Sequence, residues 1–360
     1  MTYLFVCSGT AGHINPALGI ADEIKKRLPE ANVVFIGANR EMENRLIKAA
    51  GYELINIKMT GVKRGIKPKD IIYNIKTVKN VVFARSKARE ILNKLKPVAV
   101  IGTGGYICYP ILREAVRLKI KTFLHEQNAA SGMTTKALCS HVDIIMTAFP
   151  NSEEQYKKAK HVIFTGTPLR KDFSEEITTE TTHKTYDKPL VLSFWGSLGA
   201  EKMNIMMEEF VELNNKEKKF YHIHATGNSG EALRNKTNKP TTDVRKYIDN
   251  MAEVMKSADI ALCRGGATTL AEVTALGKPS VIVPSPYVPD NVQLRNAEKL
   301  QSIGGAEVIL EKECTGGILY NTVTTLLSDN VKLQRMSEAL KKIAMPDAAK
   351  EIVDIILGDT

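Results

Sequence analysis

Four short glycine-bearing segments hold most of the residues in this chain that could do chemistry. They are Ser8-Gly9-Thr10-Ala11-Gly12-His13, Gly102-Thr103-Gly104-Gly105-Tyr106, Trp195-Gly196-Ser197-Leu198-Gly199-Ala200 and Arg264-Gly265-Gly266-Ala267-Thr268-Thr269. Glycine lets backbone N–H groups approach an anion, and a helix opening directly after such a loop aims its first N–H groups and its positive dipole end at it. His13 closes the first loop. An imidazole changes charge near neutral pH, so His13 is a candidate general base. Glu126, in the run His125-Glu126-Gln127-Asn128, is the second candidate. Thr268 and Thr269 add hydroxyls to the fourth loop, which suits a diphosphate. Glu272 follows one helical turn later, spaced to accept both hydroxyls of a ribose. Each loop alone is also what a tight strand-to-helix turn requires; two in each half of the chain exceed that need.

The elements that must position these residues alternate. Leu4–Cys7, Val33–Ile36, Val98–Ile101, Phe123–Leu124 and Ile144–Thr147 read as strands, with a helix from about Pro16 to Leu28 after the first loop. The alternation restarts with Leu190–Trp195, Phe220–Ala225, Ile260–Cys263 and Val281–Val283. This is the βαβ pattern of parallel sheets covered by helices. Residues 174–189 hold only Ile177 and Tyr186 as sizeable apolar groups and read as an exposed linker. The fold expected is α/β, with two doubly wound domains over 1–165 and 166–345. A C-terminal amphipathic segment, 346–360, is suited to pack on either domain and is assigned back to the first. Ligands of such sheets bind beyond the carboxyl ends of the strands, here where two domains face a cleft.

Composition narrows the partners. At 360 residues, 43% hydrophobic and 25% charged, the chain is too long for one ordinary core. No apolar run reaches the ~18–20 residues of a membrane span, and the start lacks the features of a cleaved signal. Five scattered cysteines without a CxxC pair argue against a disulfide framework or a zinc site and favour a reducing cytosol. The first loop lacks the third glycine of a dinucleotide fingerprint, and no Asp-x-Asp pair occurs. Net charge is +10, and residues 63–96 carry eleven Lys or Arg against Asp70 and Glu90, so nine of the ten charges lie there. Ile71, Ile72, Ile75, Val78 and Val82 alternate with Lys76 and Lys79 in that segment. A basic amphipathic helix of this kind predicts an anionic membrane surface. Aromatics at 6% supply no stacking platform, so nucleic acid is not expected.

SGTAGHINP at 8–16, GTGGY at 102–106, HEQN at 125–128, TGTPLRKD at 165–172, GSLGA at 196–200, GGATTLAE at 265–272 and DNVQ at 290–293 with Asn296-Ala297 occur in one order between residue 3 and about 300. In these the sequence resembles the MurG family, the UDP-N-acetylglucosamine:undecaprenyl-pyrophosphoryl-N-acetylmuramyl-pentapeptide N-acetylglucosaminyltransferases of peptidoglycan synthesis. It departs from the family's usual loops at Ser8 and Ala11, where glycine is usual. It departs again at Leu198, where the family often has glutamine, and at Val292, where it has histidine or glutamine.

The resemblance implies the GT-B architecture, two Rossmann-like domains with the acceptor on the first and the sugar nucleotide on the second. It implies an inverting hexosyltransferase in which the C4 hydroxyl of a lipid-linked muramyl-pentapeptide attacks C1 of UDP-GlcNAc. His13 would be the base, with Glu126 as runner-up. Thr10, Gly12, Asn128, Arg170, Ser197, Ile248, Met251, Ala267, Thr268, Thr269, Glu272 and Gln293 would hold the donor. Gly104, Gly105 and Tyr106 would hold the acceptor pyrophosphate. No tightly bound cofactor and no metal ligands are expected, a divalent cation being at most an accessory. The implied setting is the cytoplasmic face of the cell membrane, held peripherally by Ile71, Ile72, Ile75, Lys76, Val78, Lys79 and Val82. The implied partners are proteins of cell-wall synthesis, cell shape and division. Two alternatives stay open: another lipid glycosyltransferase of the same fold, such as a diacylglycerol sugar transferase, and a UDP-GlcNAc 2-epimerase.

Overall fold

Apolar runs such as Tyr3–Cys7 have no polar face, and strands of that kind lie in parallel sheets covered on both sides. A computed structural model of the chain contains two such sheets, one in each of two units: Met1–Arg170 with Asp347–Thr360, and Lys171–Pro346. It describes residues 1–59, 61, 68–170, 172–173, 187–196, 199–236 and 241–358, with backbone alone for 68–79, 82, 235 and 236.

In the first unit β1 (Thr2–Cys7), β2 (Asn32–Gly37), β3 (Glu53–Asn56), β4 (Ala99–Gly104), β5 (Lys121–Glu126), β6 (Ile144–Thr147) and β7 (His161–Phe164) pair in the order β3-β2-β1-β4-β5-β6-β7. Every pairing is parallel, with Phe5 opposite Phe35 on one side and Ile101 on the other. The crossovers carry α1 (Ala11–Arg27), α2 (Glu41–Ala49), α3 (Pro68–Leu95), α4 (Cys108–Arg117) and α5 (Met133–Leu138). Alternation along each strand sends side chains to two faces. Leu4, Val6, Val34 and Ile36 join Ile111 and Leu112 in one core layer. Phe5 and Phe35 join Ile14, Ile20 and Ile24 in the other.

The second unit repeats the plan with six strands: β8 (Leu190–Phe194), β9 (Tyr221–Ala225), β10 (Thr242–Arg245), β11 (Ile260–Cys263), β12 (Ser280–Ile282) and β13 (Ala306–Val308). Their order is β10-β9-β8-β11-β12-β13, again all parallel. Its helices are α6 (Glu201–Glu217), α7 (Glu231–Lys236), α8 (Met251–Ser257), α9 (Ala267–Ala275), α10 (Val292–Ser302), α11 (Gly316–Leu327) and α12 (Asn330–Ile343). In each sheet the strand order reverses at one place, β1/β4 in the first and β8/β11 in the second. Ligands of open α/β sheets bind at such a reversal. All four glycine segments lie at the carboxyl ends of these four strands.

The last helix, α13 (Ala348–Leu357), belongs to the first unit. Ile352, Val353 and Ile356 enter the α1 side of its core. Arg27 pairs with Asp354 and donates to the Lys350 carbonyl at 3.1 Å. Three buried aliphatic side chains stabilise such docking by ~1.5–3 kcal/mol each.

Several sequence expectations shift in detail. The first helix starts at Ala11, not near Pro16. Extended Thr10 (φ −127°) precedes it and Pro16 sits inside, where its ring fits helical φ at the loss of one N–H bond. Gly102, Thr103 and Gly104 belong to β4 rather than to a loop. The basic segment is helical along its backbone from Pro68 to Leu95. The side chains of Ile71, Ile72, Ile75, Lys76, Val78, Lys79 and Val82 lie outside the described residues, as do residues 174–186 of the expected linker. Further along, two of the segment's cations are paired within the protein although their side chains reach solvent. Arg85 and Arg89, with Arg117, close on the buried carboxylate of Glu114 at 2.7, 3.1 and 3.3 Å and pin α3 to α4. Burial opposes ionisation of Glu114, yet the bonds from Arg85 and Arg89 hold its pKa below the usual range.

Candidate active site

At the β1/β4 reversal the two strand ends approach unusually closely. Ser8 N–H donates to the Gly104 carbonyl at 3.1 Å. A Cβ on Gly105 (φ +88°) would fall 2.2 Å from Ser8 Oγ and 2.6 Å from Ser8 O, so only glycine permits the approach. His13 lies in the first turn of α1, half-buried, and its Nδ1 is 2.8 Å from the Ser8 carbonyl oxygen. A carbonyl only accepts, so Nδ1 carries the proton and Nε2 is the basic nitrogen. The ring lies against Gly104 (φ +123°): a Cβ there would stand 2.5 Å from His13 Cδ2 and 2.8 Å from Nε2. The loop has a second support that sequence reading missed. Gly9 N–H donates to Oε1 of fully buried Glu43 at 3.0 Å, while Glu43 Oε2 accepts from Arg40 N–H at 3.1 Å at the start of α2.

Tyr106 is half-buried and not a plain surface aromatic. Its hydroxyl donates to the Met59 carbonyl at 3.1 Å and accepts from Arg40 Nε at 3.2 Å. Thr10 is exposed at the start of α1 and Gly12 is half-buried in its first turn. Glu126 is 5% exposed and its carboxylate is fully engaged. Oε1 accepts from the backbone N–H and the side-chain Nδ2 of Asn128, both at 3.1 Å. Oε2 accepts from Gly132 N–H at 3.0 Å and Thr135 Oγ1 at 2.6 Å. Four donors hold this carboxylate as the brace of the 126–135 loop, so the geometry favours His13 over Glu126 as base. Asn128 is half-buried on that loop, and Arg170 is exposed at the end of the first unit.

In the second unit the fourth loop turns from β11 into α9. Gly266 is extended (φ −72°, ψ 133°), and the first intrahelical bond runs from Leu270 N–H to its carbonyl at 2.9 Å. The N–H groups of Ala267, Thr268 and Thr269 precede that bond and gather the positive end of the helix dipole. Thr268 Oγ1 is buried with no hydrogen-bond partner in the protein. A Cβ on Gly265 would sit 2.2 Å from the Gln293 carbonyl oxygen, and Asn296 Nδ2 donates to the Gly265 carbonyl at 3.1 Å. The loop is thus clamped by α10. Glu272 is 6% exposed, not a solvated helix residue. Burial and then the charge of Glu272 push the Cys263 thiol up to about 12.

Gln293 Oε1 accepts from Ser285 N–H at 2.8 Å, which leaves its amide nitrogen as the group able to meet a sugar hydroxyl. Ile248 is 8% exposed just before α8, and half-buried Met251 opens that helix. Ser197 lies outside the described residues, as does Leu198. Arg264 turns inward, with Nη1 donating to the Val283 carbonyl at 3.0 Å, so the loop offers backbone N–H groups rather than that charge. Among the described residues no group of three His, Cys, Asp or Glu gathers as a metal site. Nothing in the spacing of Arg40-Glu41-Met42-Glu43 marks Glu43 for this support, since arginine stands where a capping box has serine or threonine.

The glycosyltransferase family 28 N-terminal domain matches residues 3–147, and the glycosyltransferase family 28 C-terminal domain matches residues 190–352. A relative from Acetivibrio thermocellus is 41% identical, covering 97% of this chain and 95% of its own length. One from Thermoanaerobacter sp. is 40% identical over the whole of both chains. Both are named UDP-N-acetylglucosamine–N-acetylmuramyl-(pentapeptide) pyrophosphoryl-undecaprenol N-acetylglucosamine transferase. The crystal structure of Acinetobacter baumannii MurG matches with a TM-score of 0.78 at 27% identity, covering 99% of this chain and all of that one.

Proposed function

The chain belongs to glycosyltransferase family 28, and from that premise we propose that it transfers N-acetylglucosamine from UDP-GlcNAc to the C4 hydroxyl of a lipid-linked muramyl-pentapeptide, with inversion. The product is the lipid-linked disaccharide precursor of peptidoglycan. Its two doubly wound units correspond to the GT-B architecture, with the acceptor on the first and the donor on the second. The substrates follow from full-length similarity to transferases of that name. The chemistry rests on one observation: the Ser8 carbonyl holds the proton of His13 on Nδ1, leaving Nε2 as the base at the β1/β4 reversal.

In this mechanism His13 Nε2 takes the proton of the C4 hydroxyl as that oxygen bonds to C1 of the donor sugar. The bond from C1 to the diphosphate breaks with its electron pair, and UDP leaves. The charge developing on the diphosphate meets the N–H groups of Ala267, Thr268 and Thr269 at the start of α9, with Ser197 assigned to the same phosphates and Arg170 to the vicinity of the donor. Preorganised donors of this type need no rearrangement as charge appears. Glu272 takes the ribose hydroxyls, Ile248 and Met251 the uracil, and Thr10, Gly12, Asn128 and Gln293 the rest of the donor. Gly104, Gly105 and Tyr106 take the acceptor pyrophosphate. UDP-GlcNAc is a substrate, and no resident cofactor is assigned.

The protein works peripherally on the cytoplasmic face of the cell membrane, alongside proteins of cell-wall synthesis and division. Supporting this are the charge density of residues 63–96 and a substrate held in lipid. No helix of the described residues is long and apolar enough to cross a membrane.

Purified protein given labelled UDP-GlcNAc and a muramyl-pentapeptide lipid should form the disaccharide. His13→Ala should abolish transfer while leaving UDP binding intact. Epimerisation of the donor, or transfer to diacylglycerol instead, would replace this reading with one of the two alternatives.

A further inference from the structure

Three motif segments converge on the first turn of α1 through residues to which the mechanism above gives no role. Thr103 Oγ1 donates to the His13 carbonyl oxygen at 2.7 Å. The Thr103 carbonyl accepts from Gln127 Nε2, also at 2.7 Å. The same amide nitrogen lies 2.9 Å from His125 Nδ1 and 3.1 Å from the His125 carbonyl. His125 Nε2 lies 2.7 Å from the Gly166 carbonyl. Thr103, His125 and Gln127 are 0–2% exposed.

The proton on every group in this chain is determined by its partners. Gly166 O accepts only, so His125 Nε2 carries a hydrogen. Two carbonyls face the Gln127 nitrogen, so that end of the amide is the NH2 group and donates. His125 Nδ1 must then offer its lone pair, and the imidazole is neutral. Burial acts the same way, holding its pKa below the usual histidine range. Gln127 is therefore the donor in both directions, to the ring and carbonyl of His125 and to the Thr103 carbonyl, while the Thr103 hydroxyl makes its own bond to the backbone of His13.

We propose that Thr103 and Gln127 are positioning residues for His13, holding the first turn of α1 against β4 so that Nε2 keeps one place. The inference rests on the transfer reading, with His13 as base. A helix start has few bonds of its own. Gly104 leaves room for the imidazole but does not hold it, and among the described residues the ring has one bond, to Ser8 O. The hydroxyl of Thr103 supplies an attachment of this turn to the sheet, and Gln127 keeps the Thr103 peptide oriented by linking it to β5.

The test compares Thr103→Val, which keeps the shape and removes the donor, with Thr103→Ser, which keeps the donor. Thr103→Val should lower kcat by roughly 10–100-fold, the scale for a small misplacement of a reacting group. KM for UDP-GlcNAc and the affinity for UDP should not change. Thr103→Ser should retain most of the wild-type kcat. Gln127→Met, nearly isosteric, should reproduce the Thr103→Val pattern and serves if that variant does not fold. A second readout needs no turnover: 15N spectra of labelled histidine should show His13 as one tautomer, protonated on Nδ1, and as a mixture in Thr103→Val. Wild-type kcat and an unchanged His13 signal in Thr103→Val would overturn the proposal, as would a Thr103→Ser variant as impaired as Thr103→Val. Absence of transfer by the wild type, with the His13 signal still disturbed in Thr103→Val, would overturn the transferase reading and keep the positioning one.

Discussion

Arg264 and Glu311, separated by two strands of sequence, form an ion pair inside the second unit. Nη2 lies 2.7 Å from Oε2, and the side chains are 9% and 2% exposed. The guanidinium also lies 5.9 Å from the Trp195 ring centroid, and Lys202 approaches Glu311 Oε1 at 3.3 Å. The residues that open the third and fourth glycine segments, Trp195 and Arg264, are thereby held together with Glu311, which no glycine motif contains. Removing one partner of a buried pair leaves the other charge uncompensated, at a cost of about 3–5 kcal/mol. Glu311→Gln should lose stability on this scale in urea unfolding and raise KM for UDP-GlcNAc. The double variant Arg264→Met/Glu311→Leu should recover most of the stability, since an apolar pair of similar volume often replaces a buried ion pair. A double variant no more stable than Glu311→Gln would show that the pair itself, not the orphaned charge, sets the cost.

Gly104 is required by the ring beside it. Gly104→Ala would place a methyl 2.5 Å from His13 Cδ2 at φ +123°, where L side chains are strained. The imidazole must shift, so kcat should fall by roughly 100-fold. UDP affinity should hold, because the fourth loop lies in the other unit. Steady-state kinetics alongside calorimetric UDP titration would check both. A full-rate Gly104→Ala enzyme would argue that His13 works from another position.

A buried histidine pair makes the second unit sensitive to acid. Ser193 Oγ lies 2.7 Å from His222 Nε2 and 2.6 Å from His224 Nδ1, and His224 Nε2 lies 3.1 Å from Asn204 Oδ1. Asn204 Oδ1 accepts from His224 Nε2–H, Ser193 then donates to His224 Nδ1, and His222 Nε2–H donates to Ser193. His224 is therefore neutral, and burial of His222 with no acceptor at its Nδ1 among the described residues favours the neutral ring there too. Burial lowers His224 to about 3, and burial followed by the nearness of His224 takes His222 well below its usual value. A depressed histidine pKa means that the unfolded chain binds protons first. The pair's stability is thus complete above about pH 6.5 and is lost as pH falls toward 3, at ~1.4 kcal/mol per pH unit for each ring. Urea unfolding should show roughly 2–4 kcal/mol less stability at pH 5 than at pH 7. His222→Leu should flatten that slope by about half, and an unchanged slope would assign the acid sensitivity to other groups.

By itself the sequence determined the class of structure and the placing of its loops. Apolar runs without a polar face had to become parallel strands, and glycine segments directly after them had to lie at strand carboxyl ends, because both properties are local. The family was legible for the same reason, being carried by short contiguous motifs such as HEQN and GGATTLAE. Tertiary structure decided which atom each residue uses. Ser8 O sets the tautomer of His13, four donors engage Glu126, the Gln293 carbonyl requires glycine at 265, and α13 returns to α1 through Ile352 and Val353. Glu43, Thr103, Gln127 and Glu311 gained their roles only there. Hydrogen-bond partnership depends on positions within a few tenths of an ångström, set by strand register and packing between segments tens of residues apart. No periodicity or spacing along the chain records that distance.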